Sequence, residues 1–374
     1  MTTTQVPRPG DSVTEKLSTL DRYLPLWIGL AMAAGLLLGR ALPGLGETLD
    51  RIKIDTVSLP IAIGLLAMMY PVLAKVRYAH IGAQLGDRRT LVLSLVLNWL
   101  AGPLLMFTLA WVFLSDLPEL RTGLIIVGLA RCIAMVLIWN DLAGGSRELA
   151  AVLVAINSLF QIVMYSALGW FYLTVLPGWL GLDTAGLDVS MGEIAKSVLI
   201  FLGVPLLAGY LTRAIGEGRK GTEWYEETFL PRIGPVALYG LLFTIVVLFA
   251  LQGEQITENP LDVARVAVPL LVYFAVMWGG SFVVGHRLGL PYERNASVAF
   301  TAAGNNFELA IAVAISVFGV TSGEALAGTI GPLIEVPALV GLIYVALWAR
   351  RRWYPISSPA AHDGAAASPA PRPR

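Results

Sequence analysis

The chain has 374 residues, 56% of them hydrophobic and only 14% charged, with a mean hydropathy of +0.71. A soluble domain carries nearer a quarter charged residues, so the deficit points to long apolar runs and a lipid bilayer as partner. Zero formal net charge argues against nucleic acid, and a single cysteine excludes an internal disulfide or a thiolate metal cluster.

Residues 1–20 are polar, with Pro7, Pro9 and Gly10 and no apolar core, so a disordered cytoplasmic tail is expected there, not a secretory signal. Apolar windows follow at roughly 23–41, 57–75, 91–114, 122–140, 149–176, 194–214, 233–251, 263–285, 295–319 and 325–349. Each approaches the ~20 residues a helix needs to cross the hydrocarbon core. They predict an all-α integral membrane protein of ten helices, five within 21–180 and five within 190–350. Residues 355–374, rich in Ala, Pro and Ser, predict a second disordered tail. His80, His286 and His362 are expected in loops or tails, which leaves no helical metal-ligand set.

Orientation follows from the basic residues. With a cytoplasmic N-terminus, 19 of the 26 Lys and Arg fall on the cytoplasmic side and six on the other, and Arg131 lies within a span. That bias places both termini in the cytoplasm. An odd number of spans per half makes the second half enter the membrane inverted, the repeat of many secondary transporters. At an offset of 176 residues, Ser146, Glu148 and Ala151 align with Ser322, Glu324 and Ala327, and Cys132 meets Glu308.

The polar residues inside spans carry the chemistry. Span four holds Arg131-Cys132 and ends in Trp139-Asn140-Asp141, with Gly144-Gly145 as cap and turn. A lone cysteine in an apolar helix is often an inert small hydrophobe, but a cation and a half-helix N-terminus would both favour thiolate. In span five, Asn157, Ser158 and Gln161 either line a cavity or bond neighbouring helices. Span nine contains Gly304-Asn305-Asn306-Phe307-Glu308, poor helix formers at mid-membrane depth with Asn as an apt N-cap. They predict a broken helix restarting near Phe307, paired with a break near Leu129–Cys132. Glu308 is an intramembrane acid, costing ~2.5–3.5 kcal/mol on insertion scales, and such groups mark ion paths. Glu335, between Pro332 and Pro337 in span ten, is a second one. Arg131 is expected to point at Glu308 or Glu335, as a structural salt bridge or within a proton relay.

Three segments resemble the arsenical-resistance arsenite efflux permeases of the bile acid and arsenite transporter superfamily. They are Arg131-Cys-Ile-Ala-Met-Val-Leu-Ile-Trp-Asn-Asp141, Gly304-Asn-Asn-Phe-Glu-Leu-Ala-Ile-Ala-Val313 and Gly331-Pro-Leu-Ile-Glu-Val-Pro337. The resemblance, which extends over roughly 20–350, implies two inverted five-helix repeats, a panel domain, and a core domain in which spans four and nine cross. It implies extrusion of trivalent arsenite, sometimes antimonite, across the plasma membrane in exchange for protons, with no cofactor. The family's essential cysteine and glutamate fall on Cys132 and Glu308, and Arg131, Asn305 and Asn306 join them as candidate substrate contacts.

The residue chemistry agrees with that implication. Trivalent arsenic is soft and prefers thiolate, and one thiol can select it yet release it. Arsenous acid is uncharged at neutral pH, so a coupled ion must drive it, with Glu308 the natural carrier and Glu335 a possible relay. The rival within transport is a sodium-coupled organic anion symporter of the bile acid type, its ion held by Asn157, Ser158, Gln161 and the Asn pair. An enzyme is disfavoured, because no intramembrane histidine activates Cys132.

Overall fold

A computed structural model describes residues 24–42, 44–45, 49, 53–54, 57–76, 87–182, 190–258 and 260–354. The two expected tails, His80 and His362 lie outside these residues. Helices run in the order α1 Leu24–Ala41, α2 Leu59–Ala74, α3 Arg88–Phe113, α4 Pro118–Leu129, α5 Met135–Ala143 and α6 Arg147–Trp179. They continue as α7 Met191–Lys220, α8 Leu230–Glu258, α9 Pro260–Arg287, α10 Tyr292–Ala303, α11 Phe307–Phe318 and α12 Gly323–Trp353. A two-residue hairpin, β1 Lys53–Ile54 against β2 Val57–Ser58, lies between α1 and α2.

The helices α3, α6, α7, α9 and α12, and the run Thr222–Gly253 that contains most of α8, are six segments long and apolar enough to cross a membrane. Shorter apolar helices lie in α1, α2 and α11. The chain is thus a multi-pass membrane protein. The ten apolar windows each coincide with one helix or, for the fourth and ninth, with a helix pair split by a break. His286, expected in a loop, sits in the last turn of α9 and packs on the rings of Trp353 and Tyr354.

Four turns are widened to i→i+5 hydrogen bonding: Leu97–Ala101, Phe171–Val175, Leu199–Gly203 and Tyr225–Phe229. Each is followed by one residue and then a proline, namely Pro103, Pro177, Pro205 and Pro231. Proline lacks an N–H and its ring crowds the carbonyl four residues back. Widening the preceding turn makes room, and the residue before each proline bonds five back, as Gly102 N–H does to Leu97 O. The helices continue past each proline without breaking.

Packing divides the helices into two groups. Helix α8 lies along α1 and α2, and α7 joins them at α2. In the other group α9 packs on α10 and α12, and α4 packs between α3 and α12, with α6 against the start of α7 and against α10. The bulkiest fully buried side chains of this second group include Arg131, Tyr165, Tyr273, Phe300 and Phe307.

Candidate site at the helix crossing

Helix α4 stops at Leu129 because Ala130 turns to an extended conformation, φ −83° and ψ 123°. Helix α10 stops at Ala303 in the same way, with Gly304 at φ −72° and ψ 138°. The two short extended stretches cross as an antiparallel bridge between Arg131 and Asn305. Cys132 N–H donates to Gly304 O at 3.2 Å, and Asn306 N–H donates to Ala130 O at 3.1 Å. Backbone groups freed by the breaks thereby satisfy each other, as an interior without water demands. The approach is close: a Cβ on Gly304 would lie 2.9 Å from Cys132 Cβ.

Each bridge residue gives its amide to the next helix. Arg131 N–H donates to Gln161 Oε1 at 2.9 Å, and Asn305 N–H donates to Glu335 Oε1 at 3.2 Å. The pairs 130/304, 131/305, 132/306 and 161/335 are all 174 residues apart. The offset of 176 suits the N-cap serines Ser146 and Ser322 that open α6 and α12. At the crossing itself the counterpart of Cys132 is Asn306, and Glu308 lies two residues further on.

Helix α11 begins as its sequence suggests. Asn306 is its N-cap, the side chain accepting from Leu309 N–H at 3.0 Å, with Glu308 in the first turn. Helix α5 begins after Ala134, which offers no side-chain cap. The buried Cys132 sulfur instead faces the backbone N–H groups of Ala134 and Val136. Glu308 is half-buried in the first turn of α11. Glu335 is buried and near enough for its charge to act on Glu308 and on Cys132. One thiol and two acids therefore share one small region at the start of α5 and α11.

Arg131 does not pair with either acid. Its guanidinium donates to Tyr273 Oη at 2.9 Å and to Gly128 O, and reaches Ala302 O at 3.5 Å. The reason is positional: those carbonyls are the unpaired ends of α4 and α10, which carry partial negative charge. Glu335 spends its oxygen on the Asn305 amide instead.

Of the span-five residues, only Gln161 reaches the crossing. Asn157 accepts from Trp99 Nε1 at 3.2 Å and donates to Asn98, while Ser158 bonds back to Val154 O. Several buried polar atoms around the crossing have no protein partner: Arg131 Nε, Gln161 Nε2, both side-chain atoms of Asn305, and Asn306 Nδ2. Buried donors and acceptors are seldom left unmade, so this cluster suits a polar guest. Tyr273, Trp99 and Asn98 were not singled out by the sequence. The available signal for Tyr273 was a polar aromatic at the middle of an apolar window.

Residues 62–259 match the family model described as Sodium Bile acid symporter family. The arsenical-resistance protein Acr3 of Corynebacterium glutamicum is 59% identical over 340 residues, covering 91% of this chain and 92% of its own. The Acr3 of Alkaliphilus metalliredigens is 32% identical, covering 90% and 94%. An uncharacterized transporter of Synechocystis is 38% identical, covering 88% of each. The chain belongs to this transporter family, among the arsenical-resistance proteins.

Proposed function

We propose that the chain exports trivalent arsenite, and by shared coordination chemistry antimonite, from the cytoplasm by proton antiport. The observation that carries this is the place of the sequence's one thiol. Cys132 stands at the crossing of two broken helices, facing the Ala134 and Val136 amides where α5 starts, beside two acids. A soft trivalent centre would bind that sulfur, and its hydroxyl groups suit the unpartnered amides of Asn305, Asn306 and Gln161. The names of the arsenical-resistance relatives support the reading.

Ten spans fit the helices, with α4–α5 and α10–α11 as the fourth and ninth. The recurrence at 174 residues supports two inverted five-helix repeats over 21–180 and 190–350. In this arrangement α1, α2, α7 and α8 make the panel, and the remaining helices make the core around the crossing. Alternating access moves one group against the other. Glu308 takes up a proton from outside and releases it to the cytoplasm, returning energy that drives uncharged arsenous acid outward. Glu335 holds the Asn305 amide and serves as the second station. The plasma membrane holds the protein with both termini cytoplasmic, and an alkaline phosphatase fusion after Arg350 should be inactive.

The test is arsenite flux into everted vesicles, with and without a pH gradient. Uptake that follows the gradient and ignores exchange of sodium for potassium is expected. The matched family is named for sodium symport, and flux that requires sodium would favour an organic anion symporter instead.

A further inference from the structure

We propose that the Arg131 guanidinium is a built-in counter-cation for the carbonyl ends of α4 and α10, so that the crossing holds together without an inorganic cation. The inference rests on the transport reading only for its flux measurement. Two half-helices end side by side in the membrane interior, each with unpaired carbonyls and the negative end of its dipole. Hydrocarbon cannot satisfy them. Left alone, two like partial charges would repel and open the crossing.

One guanidinium covers both ends. It touches Gly128 O on α4 and Ala302 O on α10, themselves 174 residues apart. Tyr273 Oη, from α9, receives a third contact and fixes the plane of the group. The hydrogen bonds of the side chain among the described residues all go to neutral oxygens, so its charge is matched by helix ends and not by a carboxylate. Space for it comes from α3, where a Cβ on Gly102 would lie 2.7 Å from Arg131 Nη1 and 3.1 Å from Tyr273 Oη. The equivalent position in the second strand is Asn305, which is neutral. A planar fork with fixed N–H directions suits two separated carbonyls better than a point charge. Arg131 is accordingly a positioning residue, and it sets which cations the transporter can do without.

The experiment uses the full-length protein and two readouts, thermal unfolding in detergent and arsenite flux in everted vesicles. Wild type should unfold at the same temperature in sodium and in potassium. Arg131→Gln is shorter and keeps two N–H donors but loses the charge, and should unfold earlier and export poorly. Arg131→Lys keeps the charge but loses the fork, and should fall between wild type and Arg131→Gln in both readouts. Arg131→Ala opens the site, and about 10 mM methylguanidinium should raise its unfolding temperature saturably and restore flux several-fold, by binding the folded state. Equal losses in the Lys and Gln variants, an Ala variant indifferent to methylguanidinium, or a wild type stabilised by sodium over potassium would each overturn the proposal. If Arg131→Ala does not fold, the Lys and Gln pair decides. Should wild type move no arsenite, the proposed function fails, while the unfolding measurements still judge the counter-cation.

Discussion

The two crossing strands share a backbone arrangement and differ at every residue. Ala130–Cys132 and Gly304–Asn306 exchange matched hydrogen bonds and hand their middle amides to Gln161 and Glu335. The first strand carries the cation and the thiol, and the helix after it starts uncapped. The second carries two amides, starts a helix capped by Asn306, and leads directly to Glu308. Backbone symmetry satisfies two broken helices in the membrane interior, while the side chains differ: under the proposed function the first strand supplies the arsenic ligand and the second leads to the proton carrier.

The largest effects should come from crossing that division. Cys132→Ser exchanges a soft ligand for a hard one of similar size, and export should fall at least ~10-fold, worth ~1.4 kcal/mol or more. Glu308→Gln should also stop gradient-driven flux, but arsenite should still protect Cys132 from a thiol reagent. Loss of that protection would put arsenite binding on the second strand and break the comparison.

A reciprocal exchange sharpens it. Glu335→Gln and Gln161→Glu each keep an oxygen to accept the bridge amide, so both proteins should fold with unfolding temperatures near wild type. Flux should drop several-fold in Glu335→Gln if the acid is a proton station. Combining the two changes tests side dependence: flux restored to wild type would show that either helix can host the acid. The expected result is no rescue.

Smaller effects should separate the helix starts. Asn306→Ala removes a cap bonded to Leu309 N–H and should cost about 1 kcal/mol of stability. Ala134→Gly, at the uncapped start of α5, should be neutral or slightly stabilising by the same unfolding measurement, because Gly serves an N-cap better than Ala. The last effect lies furthest from the crossing, at Asp87, which caps α3 and binds Arg294 on α10. The Thr90 hydroxyl, with help from the Thr90 amide and Arg294, holds the Asp87 carboxyl below its ordinary 3.8, partly opposed by burial. A lowered folded value means stability that is present above the unfolded value and lost as pH falls through the folded one. Asp87→Ala should therefore lower stability by about 1 kcal/mol at neutral pH. That gap should close in acid below 3.8.

Much of this was legible before any coordinates. Gly304-Asn305-Asn306 states its break in composition, because those residues resist helix and Asn caps well. The first break is silent in that sense: Ala130-Arg-Cys-Ile-Ala134 contains no helix breaker, and only symmetry with the second strand points to it. Arg131 was misassigned because its partners Gly128 O and Ala302 O are backbone atoms, which no residue identity advertises. An intramembrane arginine with two acids in neighbouring spans suggests a salt bridge, and the helix ends won because they are nearer and otherwise unpaired. The offset shifted from 176 to 174 because helix starts and crossing contacts need not keep one register through a repeat.

The lone guanidinium also constrains how such a chain can be rebuilt. A tandem of two copies of the first half would bring two guanidinium groups to one pair of carbonyls, and like charges would drive the half-helices apart. A tandem of two copies of the second half would bring none, leaving both carbonyl ends bare. Arg131 thereby makes the two crossing strands complementary parts that cannot be exchanged for one another.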